Sequence, residues 1–251
     1  MKITTQQDLI DHFKALGLRA GDDVVIHSKL ASFGLIRGGG DTVLCALQNV
    51  LGERGTIVVP TYCFGVTGGY DPANTPSTRV GAFSEYMRKC SGAVRSASPI
   101  HSHAGLGPKA DILLATQPMS SMGSGSDFEK LYEANFKLVL LGCEPNEGAT
   151  YLHHLEALAN VPYREWIVLN RTVKKASGEE TEVELNYFAQ KEGVETNNAF
   201  NRIFQWMEKS PTLFTAKAPY GQSHAFPLTA VHDEVLPRLI EDPNALVDIL
   251  T

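Results

Sequence analysis

The sequence of 251 residues predicts an α/β fold, in which buried strands end in turns that open helices. The run 137–141 is apolar without alternation and stops at Gly142, which is typical of a strand buried on both faces of a parallel sheet. The β-branched runs 23–28 and 56–60 are also followed by polar residues. Because parallel strands end at one edge of a sheet, we expect these polar residues to form a site there.

The first predicted helix is capped by Thr4 or Thr5 and ends at Gly17. After strand 23–28, the glycines 38–40 precede Asp41, a good N-cap for a second helix. Backbone amides at such a helix start suit a phosphate group, and a flexible connection is the alternative interpretation. The glycines match neither the Walker sequence nor the GxGxxG dinucleotide motif.

The middle of the chain contains a long loop and two histidines in an extended segment. Residues 68–78 are rich in Gly, Pro, Asn and Ser, which predicts a loop over the sheet edge. Alternate residues of an extended strand share a face, so His101 and His103 are compatible with a zinc site. The neighbouring sequence indicates no third ligand, and a structural role is the alternative.

The helix after strand 137–141 carries Thr150, His153 and Glu156, spaced three residues apart. Side chains at this spacing are neighbours on a helix, so His153 can contact both of the others. A hydroxyl, an imidazole and a carboxylate in one row are suited to an oriented general base. The alternative is an ordinary polar helix edge that faces solvent.

The C-terminal half predicts additions to this sheet rather than a second independent domain. Residues 165–190 read as two strands with a turn near Ser177 and Gly178, an antiparallel addition or small lobe. A helix is predicted over 198–209. His224 and His232 have no partner motif and are interpreted as structural or surface residues. Since no repeat or composition break divides the chain, we expect one domain over 1–251.

Composition excludes several classes of function. A net charge of −6 and a pI near 5.8 argue against general nucleic-acid binding. Charges stand where a signal peptide needs its apolar region, and no window has eighteen consecutive apolar residues, so a cytoplasmic protein without membrane spans is expected. The four cysteines lack CxxC spacing. Cys143 is either a nucleophile or, more in keeping with free cysteines, a small packed residue.

A series of short motifs occurs in a defined order along nearly the whole chain. They are His27-Ser28-Lys29-Leu30 with Gly34, Gly39-Gly40, Pro60-Thr61, Glu85, Arg95-Ser96, Pro99, Ser102, Gly107, Gly142, Thr150-Tyr151-Leu152-His153, Glu156 and Gly221. In this order and spacing they resemble the aminoglycoside 3-N-acetyltransferase family, the antibiotic N-acetyltransferases. The resemblance implies a mixed-sheet α/β sandwich that transfers an acetyl group from acetyl-coenzyme A to an amine, without a metal or a covalent acyl-enzyme.

The resemblance also implies roles for individual residues. The turn of Ser28, Lys29 and Leu30 would hold the cosubstrate together with the helix start at Gly38, Gly39 and Gly40. Ser96 and Ser102 would line its thioester end.

The catalytic residues implied by the resemblance lie on the central helix. His153 would be the general base, because an imidazole with its usual pKa near 6.5 can accept a proton around neutral pH. Glu156 would orient it, and Thr150 would donate a hydrogen bond to the oxyanion.

Two positions depart from the family pattern. Ser98 stands where the family has histidine in RSxHP, and Lys29 stands where it repeats serine. The acceptor is therefore expected to be an amino-sugar or an aminoglycoside-like amine, and a homodimer is compatible with the family. Two other hypotheses stay open: a metal-assisted hydrolase that uses His101, His103 and His153, and a catalytically silent relative that binds coenzyme A or another ligand.

Overall fold

A computed structural model describes residues 2–65, 69–115, 119–175 and 177–250. The strands are β1 (Ile3–Thr4), β2 (Asp23–Ser28), β3 (Leu35–Ile36), β4 (Thr56–Pro60), β5 (Val94–Arg95), β6 (His103–Leu106), β7 (Lys137–Leu141), β8 (Arg164–Lys174), β9 (Glu180–Gln190), β10 (Thr196–Asn198), β11 (Phe214–Ala218), β12 (Gly221–Pro227) and β13 (Val247–Ile249). The α-helices are α1 (Gln6–Ala15), α2 (Gly40–Leu51), α3 (Ala82–Arg88), α4 (Asp127–Glu133), α5 (Pro145–Gly148), α6 (Tyr151–Ala159), α7 (Ile203–Trp206) and α8 (Leu228–Glu241). Short 3₁₀ helices cover Leu30–Phe33, Ala110–Ala115 and Phe200–Arg202.

The central sheet has seven strands in the order β11-β12-β7-β2-β4-β6-β5. Strands β7, β2 and β4 are parallel, whereas the pairs on either side of them are antiparallel. The predicted α/β class with a mixed sheet is confirmed. The strand predicted over 137–141 is present as β7, and its parallel surroundings hold on one side only, because β7 pairs parallel with β2 and antiparallel with β12.

Both faces of the sheet are covered, which explains the unalternating apolar run in β7. Leu138 and Leu140 belong to the core that includes α6 and α8, and Val139 and Leu141 belong to the core that includes α1 and α2. Alternate side chains of a strand point to opposite faces. A strand between two helical layers therefore needs an apolar residue at every position.

Local predictions have mixed outcomes. Thr5 caps α1 through a capping box with Asp8, as expected for the first helix. Helix α2 begins at Gly40 with Gly39 as its cap, so the predicted cap at Asp41 is wrong by two positions. The single helix expected over 198–209 is also wrong, since only Phe200–Arg202 and Ile203–Trp206 are helical.

Strands β8 and β9 form a separate antiparallel hairpin, paired from Arg164 with Gln190 to Lys174 with Glu180. The antiparallel pair predicted over 165–190 is therefore present. No helix in the described ranges is both long and apolar enough to cross a lipid bilayer.

Candidate active site

A cavity of about 510 Å³ opens where β2, β4 and β7 reach their carboxyl ends. Side chains from the sheet edge, from helices α5 and α6, and from the β8–β9 hairpin line it. They include His27, Ser28, Lys29, Pro60, Tyr62, Arg79, His101, Cys143, Glu147, Thr150, His153, Arg164 and Tyr187. The predicted edge therefore carries a cavity with several titratable groups.

The turn after β7 allows this cavity to form. Gly142 has a φ of +72°, a left-handed conformation that favours glycine. A Cβ at this position would lie 2.8 Å from Ser32 Cβ and 2.9 Å from the carbonyl oxygen of Lys29. The turn thus packs closely on the segment after β2 and directs the chain into α5 and α6.

His153 and Glu156 contact each other on α6, as their spacing predicts. His153 Nδ1 lies 2.6 Å from Glu156 Oε2. The Glu156 side chain is fully buried, and the His153 side chain is 18% exposed at the cavity wall. The alternative of a solvent-facing polar helix edge is wrong for this pair.

Two further residues hold the carboxylate of Glu156. The Tyr163 hydroxyl donates to Oε1 at 2.9 Å, and Arg164 Nε lies 2.8 Å from Oε2, at an angle that does not complete a hydrogen bond. Burial opposes ionisation of Glu156, yet its pKa is held below the usual value by the opposing effects of His153, Arg164 and Tyr163. A buried, ionised carboxylate therefore faces the imidazole.

This environment fixes the tautomer of His153. An ionised carboxylate has no proton to donate, so the 2.6 Å contact requires a proton on Nδ1. Arg164 Nη2 also lies 3.0 Å from Nδ1 and cannot donate to it in this state. Nε2 is then the ring nitrogen that can accept a proton.

The adjacent His154 lies inside the protein and does not line the cavity. Its Nδ1 accepts a hydrogen bond of 3.1 Å from the backbone amide of Gly123. Its ring packs against Tyr151 and Phe128. Burial lowers the pKa of His154 to about 3, so it stays neutral.

Thr150 and Tyr62 bring two hydroxyl groups to the cavity wall. Thr150 precedes α6 but its side chain makes no cap hydrogen bond, so its hydroxyl is not used there. Burial raises the pKa of Tyr62, and the neighbouring Thr150 hydroxyl offsets only part of this rise. Tyr62 therefore remains a protonated donor, and the Thr150 hydroxyl is near its buried oxygen, although the two groups do not meet the geometry of a hydrogen bond.

The predicted cosubstrate residues fall into two groups. Ser28 and Lys29 line the cavity, and the Ser28 hydroxyl is buried without a partner in the described part of the chain. Leu30 begins a 3₁₀ helix and packs against the core. Gly38 to Gly40 lie outside the cavity wall, at the start of α2, where a Cβ on Gly40 would meet the Tyr86 ring at 2.4 Å.

Ser96 and Ser102 are fully buried and do not line the cavity. The Ser96 hydroxyl donates to Asp127 at 2.5 Å, and the Ser102 hydroxyl donates to the carbonyl oxygen of Thr61 at 2.7 Å. They therefore lie behind the cavity wall, and their predicted role at the thioester end stays a prediction.

His101 and His103, the two histidines considered for zinc, lie in different surroundings. His103 is buried, with Nδ1 3.0 Å from Asp127, whereas His101 lines the cavity and contacts the Tyr62 ring. Burial lowers the pKa of His101 to about 3. Across the described residues, no group of three His, Cys, Asp or Glu side chains is arranged to hold a metal ion, so the structure gives the hydrolase hypothesis no metal site.

Cys143 lines the cavity but is not activated. Burial raises the pKa of its thiol to about 12, with smaller contributions from Glu147 and Glu144. A thiol in this state is a poor nucleophile. The interpretation of Cys143 as a packed turn residue is favoured.

The remaining predicted histidines have structural contacts. His224 is buried, with Nδ1 3.0 Å from the Thr215 hydroxyl. His232 lies 3.1 Å from the Tyr151 hydroxyl and stacks on Tyr132. Neither lines the cavity, which agrees with their interpretation as structural or surface residues.

Several site residues carry no signal in the sequence. Tyr163 and Arg164 follow α6 after a left-handed turn at Asn160, where φ is +50°. Arg79 comes from the loop before α3. Only the folded chain brings them to His153 and the cavity, although the polar residues after β4 did point to Tyr62.

The mixed sheet with a histidine–carboxylate pair at its edge has the construction of an acid–base enzyme. A sequence profile of the aminoglycoside 3-N-acetyltransferase family matches residues 25–239. The chain therefore belongs to this family of acetyl-coenzyme A-dependent N-acetyltransferases, and the predicted family, fold, enzyme class and cosubstrate are confirmed at that level.

Individual relatives agree with this assignment. Aminoglycoside N(3)-acetyltransferase VII of Streptomyces paromomycinus is 35% identical over 184 residues, which are 65% of this chain and 64% of that protein. The structure of aminoglycoside acetyltransferase AAC(3)-Xa superimposes with a TM-score of 0.83 at 25% identity, covering 95% of this chain and 93% of the other. The AAC-IIIb structure, a binary complex with CoASH, has a TM-score of 0.82 at 23% identity, with coverage of 96% and 97%.

Proposed function

We propose that this protein transfers the acetyl group of acetyl-coenzyme A to an amine of an amino-sugar or aminoglycoside-like acceptor, with His153 as the general base. One observation carries the proposal: a buried carboxylate holds Nδ1 of His153 at 2.6 Å and leaves Nε2 as the proton acceptor at the cavity wall. A histidine with one ring nitrogen held by a carboxylate and the other free to accept a proton is a common general base.

The proposed reaction is a direct transfer. The amine nitrogen bonds to the thioester carbon while Nε2 of His153 removes a proton from the nitrogen. Collapse of the tetrahedral species breaks the carbon–sulfur bond, and the proton on Nε2 passes to the thiolate. Glu156 stabilises the imidazolium in the interval, because its ionised carboxylate lies beside Nδ1.

Two hydroxyl groups are placed to assist the thioester carbon. The Thr150 hydroxyl lies on the cavity wall and is not used as a helix cap. The Tyr62 hydroxyl is buried, protonated and without a completed hydrogen bond in the described chain. Donors of this kind stabilise an oxyanion in a water-poor site. We assign the main donation to Thr150 and a supporting one to Tyr62.

The cosubstrate is proposed to bind along the edge from Ser28 and Lys29 to the α2 start at Gly38–Gly40. The unpartnered Ser28 hydroxyl suits an amide of the pantetheine arm. The first amides of α2 suit the phosphates, and the half-exposed Lys29 ammonium, paired on one side with Glu147, suits them as well. Ser96 and Ser102 would shape the wall through Asp127 and Thr61 without touching the thioester.

Calorimetry and a thiol-release assay test this function. We expect coenzyme A to bind and an amino-sugar to release one thiol for each N-acetylated product. Lys29→Met should raise the KM for acetyl-coenzyme A, whereas Lys14→Met, an exposed change on α1, should not. No binding by the folded protein at millimolar coenzyme A would contradict the proposal and favour a role without acetyl transfer.

We also propose a cytoplasmic location and a homodimer. The location follows from the use of acetyl-coenzyme A, an intracellular metabolite, and cell fractionation tests it. The dimer is supported by exposed apolar side chains on β8, of which Trp166 and Val168 lie on one face of the hairpin and Ile167 on the other. Light scattering should give twice the chain mass, and Val168→Lys should reduce it. A single-chain mass at every concentration would contradict the dimer.

A further inference from the structure

The described residues of the cavity wall include three cationic side chains and one carboxylate. Lys29, Arg79 and Arg164 line the cavity, and Glu147 is its one lining carboxylate within the described residues. Residues 66–68, 116–118 and 176, which lie outside the described ranges, contain no acidic side chain in the sequence. The acceptor therefore meets a surface with few negative groups.

The carboxylates near the cavity are already paired. Glu147 Oε1 lies 2.5 Å from Lys29 Nζ, and its other oxygen accepts from the backbone amide of Glu144. The Lys29 contact lowers the pKa of Glu147, so it remains ionised and bound to that ammonium. Glu156 lies behind His153 and is enclosed by Arg164 and Tyr163. Neither carboxylate is free to bind a cationic acceptor.

Arg79 is the unpaired cation of this wall. It is exposed and makes no hydrogen bond or ion pair with the described residues. Its φ of +61° is a left-handed conformation that costs free energy in a residue other than glycine. Strain of this kind often marks a ligand-binding position, and a guanidinium binds carboxylate or phosphate through two parallel hydrogen bonds.

An aminoglycoside is a poor match for this wall. Several of its amines are protonated near neutral pH, and they would meet the unpaired cation Arg79, because the carboxylates near the cavity are already held in ion pairs. Like charges repel each other, and an unpaired charge at a binding site disfavours a ligand of the same sign. An acceptor with one reactive amine and an anionic group avoids this repulsion and supplies a partner for Arg79.

We infer that the acceptor is an amine that also bears an anionic oxygen group, a carboxylate or a phosphate, and that Arg79 binds this group. The inference rests on the proposed N-acetyltransferase function and specifies its substrate class. Within that function, Arg79 determines specificity for the acceptor, while Lys29 serves the cosubstrate.

The first experiment compares acceptors that differ in charge. Four acceptors are titrated calorimetrically into the protein saturated with coenzyme A. They are glucosamine, the uronic acid derived from glucosamine, glucosamine 6-phosphate and the aminoglycoside paromomycin. We expect at least one anionic amino-sugar to bind roughly tenfold or more tightly than glucosamine, the effect of one charge-assisted contact. The two anionic compounds separate carboxylate from phosphate recognition. Tightest binding of paromomycin, or equal binding of all four, overturns the inference.

The second experiment reverses the charge of Arg79. Arg79→Glu should weaken binding of the anionic amino-sugar by roughly tenfold or more. The KM for acetyl-coenzyme A should stay within about twofold of the wild-type value. Arg54→Glu is the matched control, since Arg54 is exposed before β4 and does not line the cavity. If Arg79→Glu instead raises the KM for acetyl-coenzyme A alone, Arg79 binds the cosubstrate and the inference is wrong.

Binding and turnover distinguish this inference from the proposed function. Preferential binding of the anionic acceptor without any thiol release would contradict acetyl transfer and leave the charge preference standing. Thiol release that is fastest with paromomycin would support acetyl transfer and contradict the charge preference.

Discussion

His153 and His154 are neighbours on α6, but the two sides of this helix give them different surroundings. His153 faces the cavity with Glu156 and Arg164 beside its Nδ1. His154 faces the interior, where its Nδ1 accepts from the Gly123 amide. Adjacent side chains on a helix point about 100° apart, so His153 lies against the charged cavity wall while His154 lies in the apolar core. Partners, more than residue type, determine which imidazole can act as a base.

Of the substitutions that test this difference between the two histidines, the one at His153, on the cavity side of α6, is expected to have the largest effect. His153→Ala should lower turnover by roughly 10²- to 10⁴-fold, the usual range for a positioned general base. Coenzyme A binding should survive, because the substitution removes no proposed contact to the cosubstrate. Steady-state thiol release and calorimetry measure the two quantities. Near wild-type turnover on the true acceptor would show that another group is the base.

The sequence predicts the local half of this site and misses the rest. His153 and Glu156 are three residues apart on one helix, so their contact follows from helical geometry alone. Arg164 reaches the same pair only because the chain reverses at Asn160. Burial of Ser96 and Ser102 follows from their contacts with Asp127 and Thr61, which no spacing in the sequence indicates.

The same distinction applies to the fold. The apolar run in β7 predicts a strand covered on both faces, because every position needs an apolar partner. It does not reveal the direction of the neighbouring strands, since a parallel and an antiparallel neighbour bury the same side chains. The antiparallel pairing of β12 with β7 therefore required the structure.

A smaller effect is expected on the interior side of α6, and in stability rather than turnover. His154→Ala removes the acceptor of the Gly123 amide, which should destabilise the fold by roughly 1–3 kcal/mol plus the lost packing. Urea denaturation measures this change. His154→Gln is the matched control, because its side-chain oxygen can accept the same hydrogen bond. If His154→Ala lost as much turnover as His153→Ala while its stability stayed unchanged, the proposed difference between the two sides of α6 would be wrong.

The buried histidines should together make the fold less stable as the pH falls. Burial lowers the pKa values of His27, His101 and His154 to about 3, with a further contribution from neighbouring histidines. Between about 6.5 and 3 the unfolded chain binds more protons than the folded one, so stability is complete above pH 6.5 and falls as the pH drops.

His12 tests this pH dependence at a distance from the cavity. Burial lowers its pKa to about 4, and its Nε2 lies 2.8 Å from the Ser223 hydroxyl. His12→Gln removes one titrating group and should reduce the pH slope of unfolding by up to about 1.4 kcal/mol per pH unit between 6.5 and 4. Denaturation at several pH values measures the slope. A slope unchanged by the substitution would mean that His12 is not protonated on unfolding in this range.

The smallest effect is expected at Cys143, which separates direct transfer from a covalent mechanism. Its thiol lines the cavity, but burial raises its pKa to about 12, so the thiolate that an acyl-enzyme would need is scarce at neutral pH. Cys143→Ala keeps a small apolar side chain in the turn and should retain turnover within roughly tenfold, far from the loss expected for a nucleophile. Mass spectrometry after mixing with acetyl-coenzyme A should detect no acetylated protein. If an acetyl group were found on Cys143, and turnover were abolished in Cys143→Ala but retained in His153→Ala, Cys143 would be the nucleophile of a covalent mechanism and His153 would not be the essential base.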